Sequence, residues 1–483
     1  MDPADLPFWE LISRAAFCNP FDENRAVLDR EILGRAVDPF TGERVELLLQ
    51  AIAERMGAIE RAGLGHLNRL RGTQREVMKT AFLFQVYHRY CREFDQLIPL
   101  QLERGDQAAP VPFAVEALRE LGRRGFERAE AVRYFAIFYQ LRRAFYFIIH
   151  GLLGGSASMQ ELRRSLWNNV FTQDAGLFDR HLWDRMEDFS TLLLGETGTG
   201  KGTAAAAIGR SGFIPFAERR GCFVESFARN FIALNLSQYP ESLIESELFG
   251  HRKGAFTGAV EAHEGVLARC SPHGSIFLDE IGEVSVPVQI KLLQVLQERT
   301  FHPVGSHQTI RFRGRVIAAT NRPLEELRGG GGFRDDFYYR LCSDLIEVPP
   351  LRRRLREDAG EMEHLVGNMI RGLVEEDARS LSGWVLEVLR RDLPGDYAWP
   401  GNVRELEQAV RRILLSGRYQ PTVVPDGGGT RGQWLREAEA GDLDADGVLS
   451  GYCRQLHAQL GSYEAVARQT RLDPRTVKKY VGL

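Results

Sequence analysis

The sequence predicts a multidomain protein in which an α/β core with a parallel sheet lies between two helical regions. Its 483 residues are several times the size of one typical domain. In the middle of the chain, short apolar runs alternate with helical stretches, a pattern typical of strands covered by helices. Towards both ends, apolar residues recur at helical spacing and strand signals are few.

Composition narrows the class of protein. The 62 basic residues nearly balance the 65 acidic residues, so no overall field attracts nucleic acid and any such contact must be local. The six cysteines are scattered, without a Cys-x-x-Cys pair, and we expect reduced thiols in a cytoplasmic protein. The N-terminus lacks the basic and apolar segments of a secretory signal. The most apolar stretch, residues 134–150, contains Arg142 and Arg143 and is too short to span a bilayer, so no membrane partner is expected.

Residues 1–150 are predicted to form a helical N-terminal domain. Apolar residues recur at helical spacing between 46 and 59 and again between 115 and 121. Aromatic residues cluster between 134 and 147. They form either the packed core of a helical bundle, which we favour because apolar helices are usually buried, or the lining of a ligand pocket. No motif identifies a signal, so a regulatory role for this domain stays an open hypothesis.

Four apolar runs predict the parallel strands of the core, at residues 191–194, 231–234, 275–278 and 315–319. Helices are expected at 159–167 and 288–296. Ligands of open parallel sheets bind at the carboxyl ends of the strands. The polar residues that follow these runs are therefore the candidate site residues.

A glycine-rich loop follows the first predicted strand and precedes an alanine-rich helix. It consists of Gly195, Glu196, Thr197, Gly198, Thr199, Gly200, Lys201 and Gly202. Glycines allow backbone N–H groups to turn towards phosphate oxygens, the helix N-terminus adds a positive dipole, and Lys201 adds a full charge. The context predicts a phosphate-binding loop of a nucleotide site. Gly202 stands where the general pattern has a Ser or Thr ligand of magnesium, so metal binding must depend more on other groups.

Two carboxylates follow the strand predicted at 275–278. Asp279 is expected to hold Mg²⁺ through water, and Glu280 to polarise the attacking water. An acidic turn after a strand is the alternative interpretation. The phosphate loop in the same predicted sheet makes that alternative the weaker one.

Polar and basic residues continue this pattern downstream. Thr320 and Asn321 end the strand predicted at 315–319, where Asn321 is expected to position water near the terminal phosphate. Arg334 and Arg340 lie six residues apart. Either they form ordinary salt bridges, or they neutralise transition-state charge. In the second case the arginine is sometimes supplied by a neighbouring molecule.

A second loop lies between the two halves of the predicted nucleotide site. Its residues are Gly254, Ala255, Phe256, Thr257, Gly258 and Ala259. The glycines leave the backbone free, while Phe256 and Thr257 offer an aromatic anchor and a hydroxyl. It is either an ordinary turn or a loop tip that contacts a partner, and its position favours the second interpretation.

The C-terminal end carries a local positive charge. After a glycine-rich break at 421–432, residues 451–483 hold six basic residues against two acidic ones. Helices are predicted at 462–469 and from 473 to 481, a helix-turn-helix pattern. The second helix would present Arg475, Thr476, Lys478 and Lys479 to DNA phosphates and base edges. The alternative is a basic helical hairpin used for packing, because the turn lacks its usual glycine.

These motifs together resemble one family. The series GETGTGK, ESELFGHRKGAFTGA, GSIFLDEIGE, KLLQVLQE, VIAATNR, FRDDFYYRL and WPGNVRELE closely resembles the central AAA+ domain of sigma-54-dependent transcription activators, the bacterial enhancer-binding proteins. The resemblance covers roughly residues 151–417, and the C-terminal segment resembles the Fis-like DNA-binding end of the same activators. It implies a helical N-terminal domain, an α/β AAA+ P-loop ATPase core with a helical lid, and a C-terminal helix-turn-helix.

The resemblance also implies roles within the nucleotide site. Residues 195–202 would bind the phosphates of ATP, and Asp279 and Glu280 would be the Walker B pair that uses Mg²⁺. Asn235 matches the asparagine that restrains the catalytic glutamate. Arg404 matches the sensor II arginine of the lid.

Thr320 and Asn321 match sensor I of the same family, and Arg334 and Arg340 match arginines that reach a neighbouring subunit's site. A homo-oligomer, typically a hexameric ring, is therefore implied. Loop 254–259 would contact sigma-54 in the RNA polymerase holoenzyme and use ATP turnover to open the promoter. An AAA+ remodelling ATPase or DNA-bound adaptor acting on another target is the alternative, which the complete GAFTGA sequence disfavours.

The expected domain boundaries place a helical N-terminal domain, the AAA+ α/β subdomain, the helical lid, a linker and the DNA-binding domain at 1–150, 151–348, 349–417, 418–450 and 451–483. The chain departs from the family pattern at Gly202, usually Glu, and Leu236, usually Cys. The stretches 167–190 and 216–230 are longer than usual. These departures bear on the expected adenine pocket and subunit contacts, and not on the residues assigned to the phosphates or on the assigned arginines.

Overall fold

A computed structural model describes residues 6–35, 42–329, 332–374, 377–421, 434, 438, 441 and 443–482. The chain forms two compact units. The first contains residues 1–388 and 394–415, and the second contains 389–393 and 416–483. No helix of the described residues is long and apolar enough to cross a membrane.

The first unit begins with helices that share one apolar core. They are α1 (Leu6–Phe17), α2 (Glu23–Leu33), α3 (Gly42–Arg61), α4 (Gly72–Arg89), α5 (Cys91–Arg104), α6 (Ala114–Arg123) and α7 (Arg128–Gly151). Trp9, Phe82, Phe94 and Phe135 are fully buried in this core. The aromatic residues of α7 thus pack as an apolar helix is expected to, buried among its neighbours.

A five-stranded sheet follows in the same unit. The strands of this unit, which also include two short antiparallel pairs, are in chain order β1 (Thr191–Leu194), β2 (Phe216–Ala217), β3 (Cys222–Phe223), β4 (Phe231–Asn235), β5 (Ser275–Asp279), β6 (Thr300–Phe301), β7 (Ile310–Arg311), β8 (Arg315–Thr320) and β9 (Asp344–Glu347). The main sheet has the order β4-β5-β8-β1-β9, and its paired strands are all parallel. This confirms the predicted parallel sheet. The apolar runs of the sequence did not predict β9, a short edge strand with acidic residues at both ends.

Helices cover the sheet and complete the unit. They are α8 (Ala157–Phe171), α9 (Ala175–Leu177), α10 (Lys201–Gly209), α11 (Glu241–Phe249), α12 (Val266–Arg269), α13 (Val286–Glu298), α14 (Leu324–Gly329), α15 (Asp335–Leu341), α16 (Leu351–Glu357), α17 (Glu361–Arg371), α18 (Ala378–Asp392) and α19 (Asn402–Ser416). One core joins α7, α8 and α10 to the sheet through residues such as Ala144, Leu166, Ala205 and Ile317.

The longer stretch after α10 folds back onto the N-terminal helices. Its strands β2 and β3 form an antiparallel pair, hereafter the β2–β3 hairpin. Phe223 stacks on Tyr139 of α7 with ring centroids 4.2 Å apart, and Phe216 meets Phe135 at 4.9 Å. The backbone N–H of Val111 also donates to the carbonyl of Gly221, at 2.9 Å. The β2–β3 hairpin therefore belongs to the apolar core of the N-terminal helices.

The second unit contains three helices at the C-terminus. They are α20 (Ala445–Leu460), α21 (Tyr463–Thr470) and α22 (Pro474–Gly482). Leu456, Val466, Ala467 and Val477 form their small core. Most of the linker expected at 418–450 lies outside the described residues.

Candidate functional site

The predicted phosphate loop connects β1 to α10. Gly198 and Gly200 have φ angles of +81° and +103°, which an L side chain rarely adopts. A Cβ at Gly198 would lie 2.2 Å from the carbonyl oxygen of Gly401, so glycine is also required for close packing against the lid. The loop presents the N-terminus of α10 at the carboxyl edge of the sheet, as a phosphate site requires.

Lys201 is held inside this loop. Its Nζ donates to the carbonyl oxygens of Gly195 at 2.8 Å and Glu196 at 3.2 Å. Burial lowers the pKa of Lys201, while the nearby carboxylates of Glu280 and Asp279 oppose that shift. The ammonium thus faces the two carboxylates that the sequence assigned to the same site.

Asp279 ends β5 and Glu280 follows it, at the carboxyl edge of the sheet. Asp279 accepts a hydrogen bond from the backbone N–H of Glu280 at 3.1 Å. Glu280 adopts a left-handed φ of +56°, which turns the chain sharply at this point. Burial raises the pKa of the Glu280 carboxyl, Lys201 opposes the shift and Asp279 adds to it. A carboxyl with a raised pKa beside an ammonium suits a group that polarises water.

The residues predicted at neighbouring strand ends surround this pair. Asn321 Nδ2 donates to Thr197 Oγ1 at 3.1 Å and so joins the end of β8 to the phosphate loop. Thr320 is fully buried and accepts from the N–H of Arg322 at 3.2 Å. Asn235 pairs with Asp279 across the β4–β5 register.

The Asn235 side chain also marks the start of the next segment. Its Oδ1 accepts from the N–H and Oγ of Ser237, at 3.0 and 2.7 Å, where a short turn leads into α11. A cavity of about 430 Å³ lies beside this turn, between Glu280, Asn321 and Ser237. The cavity leaves room at the carboxylates for water and for a neighbouring molecule.

The lid closes on the loop through residues that the sequence reading missed. Arg352 donates two hydrogen bonds to the Glu196 carboxylate, at 2.7 and 2.5 Å, and these bonds lower the pKa of Glu196. Asn402, fully buried, donates to the Thr197 carbonyl at 3.1 Å and accepts from Leu351 N–H at 2.8 Å. Asn402 has a positive φ of +53°, a conformation that asparagine tolerates better than most residues. The asparagine directly after Gly401 was therefore the sequence feature that could have indicated this turn.

Arg404, the predicted lid arginine, lies beside the same loop. Its backbone N–H donates to the Gly198 carbonyl at 3.3 Å, and its side chain is exposed. A Cβ at Gly198 would lie 3.0 Å from the Arg404 Cβ. The Arg404 Cβ therefore lies close enough to the loop for the guanidinium to reach phosphates bound there.

Arg334 directly precedes α15, and Arg340 lies in its last turn. Arg334 pairs with Asp336 at 2.8 Å, and Arg340 Nε donates to the Leu296 carbonyl at 3.0 Å. Both residues are exposed. In the described part of the chain, none of the hydrogen bonds or ion pairs of these side chains is made with residues 195–202.

The donor set fits a magnesium nucleotide. Mg²⁺ in such sites is held by one or two carboxylates, substrate phosphates and water, and Asp279 would supply a carboxylate. Gly202 has no side chain and so offers no side-chain oxygen. Among the described residues there is no cluster of three or more metal-binding side chains.

Loop 254–259 projects from the core beyond α11. The N–H of Gly254 donates to the Ala259 carbonyl at 2.8 Å and closes the loop at its base. Phe256 is 37% exposed and meets the ring of His251 edge-on at 4.9 Å, while Thr257 is exposed at the tip. His251 in turn hydrogen-bonds Ser246 of α11 at 2.7 Å. An exposed aromatic ring and hydroxyl are thus fixed to α11 through one imidazole.

The candidate DNA-contact residues lie on α22. Arg475, Lys478 and Lys479 are exposed, and Thr476 is half-buried. The helix begins after Asp473, whose Oδ1 accepts from the Arg475 N–H at 2.8 Å. Arg471 supplies a left-handed φ of +58° in the turn where a glycine is usual.

Comparison with known proteins identifies the central domain. The model of the sigma-54 interaction domain family matches residues 181–347. Transcriptional regulatory protein ZraR of Klebsiella oxytoca is 40% identical over 271 residues, which are 56% of this chain and 54% of that protein. The Nif-specific regulatory protein of Azotobacter vinelandii is 45% identical over 226 residues, 47% of this chain and 40% of that protein.

Residues 181–347 are a sigma-54 interaction domain. The match confirms the resemblance to the sigma-54-dependent transcription activators. This chain spans about half the length of the curated relatives it matches. A crystal structure of NtrX from Brucella abortus aligns over 76% of this chain and 79% of that one, with a TM-score of 0.40 and 20% identity. Loop 254–259, Asp279 and Glu280 lie inside the matched range, whereas α1–α8 and α16–α19 lie outside it.

Proposed function

We propose that the protein is an ATP-hydrolysing transcription activator that remodels sigma-54 RNA polymerase holoenzyme through loop 254–259 while residues 451–483 bind upstream double-stranded DNA. The observation that carries the proposal is the short covalent path from the nucleotide site to the loop. Asn235 lies opposite Asp279, and α11 begins six residues later and ends at Phe249, just before the loop.

The proposed hydrolysis assigns one task to each group. The loop 195–202 and Lys201 bind the phosphates, and Glu280 polarises the attacking water while Asn321 orients it. Asp279 and the phosphate oxygens would hold Mg²⁺, which when bound offsets phosphate charge. Arg404 approaches the phosphates from the lid.

The proposed coupling begins when the charge near Glu280 changes on hydrolysis. A shift of Asn235 or of its Ser237 partner moves the start of α11, and α11 is a rigid helix. Lys291 of α13 pairs with Glu245 of α11 at 2.6 Å and gives the helix a lateral pivot. The far end of α11 carries His251 and hence Phe256.

The test separates hydrolysis from its use. Thr257→Ala should retain ATPase activity but bind sigma-54 more weakly. Its open-complex formation on a sigma-54 promoter should fall about tenfold or more. Val260→Ala is the matched control, because Val260 is 73% exposed and directly follows loop 254–259. Promoter opening by Thr257→Ala at the rate of Val260→Ala would refute the assigned role of the loop.

The nucleotide half has its own control. Lys201→Ala should abolish hydrolysis, because it removes the only full positive charge that the phosphate loop itself contributes. Hydrolysis by the wild-type protein without any sigma-54 association in a pull-down would favour the alternative, a remodelling ATPase acting on another target.

A further inference from the structure

A cavity of about 200 Å³ lies among the N-terminal helices, apart from the nucleotide site. It is lined by the α1–α2 connection, α4, α7 and the α8–α9 region. Aromatic rings supply much of its wall, among them Phe84, Tyr134, Phe138, Phe145, Trp167 and Phe171. Of the aromatic residues of α7, Phe135, Phe138 and Tyr139 are buried in the core, and Phe138 and Phe145 also line this cavity.

The charged side chains of the wall already have partners. Arg142 donates to both oxygens of Asp95, at 2.8 and 2.7 Å. Arg25 pairs with Asp29 at 2.9 Å. A charged ligand would have to compete with these pairs, whereas a neutral one would not.

Asp179, the wall's carboxylate, is paired as well. It accepts from the Tyr134 hydroxyl at 2.9 Å and pairs with Arg133 at 2.9 Å. Burial raises the pKa of Tyr87 and of Cys18, so both groups stay uncharged near neutral pH. The remaining surface of the cavity is mostly apolar, with the Thr80 hydroxyl, the Cys18 thiol and the His88 imidazole, which contacts Cys91 Sγ at 3.8 Å, as polar groups.

We propose that this cavity binds a neutral, ring-sized organic molecule that is largely apolar and carries at most one small polar substituent. An apolar cavity of about 150 Å³ in another protein accepts benzene, so the volume is sufficient for one or two fused rings. Small-molecule sites are typically apolar and aromatic-lined with few polar groups, as here.

The cavity lies one helix layer away from the phosphate loop. Trp167 and Phe171 line it from α8, and both residues, with Leu166, also belong to the apolar core that contains Ala205 of α10. Phe145 of α7 is a wall residue, and its neighbour Ala144 packs in the core shared with Ala205 of α10. A ligand that orders these two helices therefore bears on the helix that begins at Lys201.

Binding is tested first, without nucleotide, by calorimetry on the full chain. Indole, cyclohexanol and 2-naphthol are the neutral probes, and benzoate is the charged control of similar size. We expect saturable binding of at least one neutral probe and none of benzoate. No saturable heat from any neutral probe, or equal binding of benzoate, would overturn the proposal.

Two variants place the binding in this cavity. Ala16→Leu adds volume at the wall and should weaken binding of the best probe at least tenfold, and Leu83→Ala should enlarge the cavity and shift preference towards 2-naphthol. Wild-type affinities in both variants would overturn the site. Circular dichroism monitors folding, and Leu83→Ala still tests the site if Ala16→Leu does not fold.

A last measurement rests on the proposed ATPase function. The bound probe should change the ATPase rate of the wild-type chain by at least twofold and leave that of Ala16→Leu unchanged. Binding without any ATP hydrolysis would count against the proposed function alone, whereas hydrolysis without binding would count against the cavity alone.

Discussion

Arg143 of α7 is a buried cation that contacts the far end of the phosphate-loop helix. Its side chain is fully buried and donates to the carbonyls of Arg210 and Gly212, each at 2.7 Å. These carbonyls follow the C-terminus of α10, where the helix dipole is negative. Burial lowers the pKa of Arg143 to about 10, and Tyr139 lies under the guanidinium at 4.7 Å.

We predict that Arg143→Met lowers the free energy of unfolding by about 3 kcal/mol, since two buried carbonyls lose their charged donor. It should also weaken nucleotide binding, because the end of α10 is released. Urea denaturation and a fluorescent ATP analogue measure the two effects. Arg133→Met is the matched control on the same helix, since Arg133 pairs with Asp179 at a half-exposed site. Equal nucleotide affinity in the two variants would contradict the positioning role of Arg143.

Gly154, just before α8, is confined by both its backbone and its neighbour. Its φ is +120°, and a Cβ would lie 2.1 Å from Glu361 Oε1. Glu361 is fully buried, pairs with Arg354 at 2.6 Å and accepts from the Gly155 N–H at 2.7 Å. A side chain at this position must displace a buried carboxylate from its partners.

Gly154→Ala should therefore cost about 3 kcal/mol or more of folding free energy and lower the thermal midpoint by several degrees. Gly122→Ala is the contrasting variant, because Gly122 lies in α6 with open space around a built Cβ. Calorimetry should find Gly122→Ala neutral or stabilised by up to about 1 kcal/mol. A mild loss for Gly154→Ala would show that Glu361 can move at little cost.

At the scale of elements, the β2–β3 hairpin ties the α/β core to the N-terminal helices. Ile214, Phe216, Phe223 and Phe227 are buried in the core formed by α1–α7. Ser226 Oγ also donates to the Gly105 carbonyl at 2.6 Å. These side chains have their partners only when residues 1–150 are present.

Deletion of residues 1–150 is thus predicted to yield an aggregating protein, since it exposes the rings of the hairpin. Replacing Phe216 and Phe223 by Ser in the deleted protein should restore solubility. The same replacements in the full chain should destabilise it by about 3–5 kcal/mol each. Light scattering measures the expected gain in solubility of the deleted protein, and urea denaturation measures the expected loss of stability of the full chain. A soluble, unmodified deletion variant would contradict the shared core.

The sequence predicted elements and site residues wherever the signal was local. Apolar runs gave the strands β1, β4, β5 and β8 to within one residue at each end, and the polar residues that follow them meet at one edge. Arg352 was not predicted, because residues 352–354 and 356 are all arginine and only the fold shows which one reaches Glu196. Arg143 was noticed only as a charge in an apolar helix, since its partners lie 67 and 69 residues away. Long-range pairing of this kind leaves no periodic pattern.

At the scale of the whole molecule, Arg334 and Arg340 bear on assembly. Both are exposed on α15 and contact residues other than the phosphate loop of the same chain. The proposed ring would bring them to the site of the next subunit, where an arginine can stabilise the charge of phosphoryl transfer.

Arg334→Ala and Lys201→Ala should each reduce the ATPase rate by about a thousandfold. Mixing the two inactive variants should restore part of the activity, because a mixed ring contains interfaces with Lys201 on one subunit and Arg334 on its neighbour. The rate of the mixture, with mixed oligomers verified by mass photometry of tagged chains, is the measurement. No recovery in verified mixed rings would place Arg334 outside the shared site.

The β2–β3 hairpin also governs how such a chain can exchange its parts. The hairpin, which packs against the N-terminal helices, begins at Phe216, 65 residues after α7 ends at Gly151, and lies between α10 and β4. Recombination at a single junction near residue 150 would separate two surfaces that fit only each other. A functional transplant of this N-terminal region must therefore carry two separate pieces of sequence, and its evolutionary history is expected to couple them.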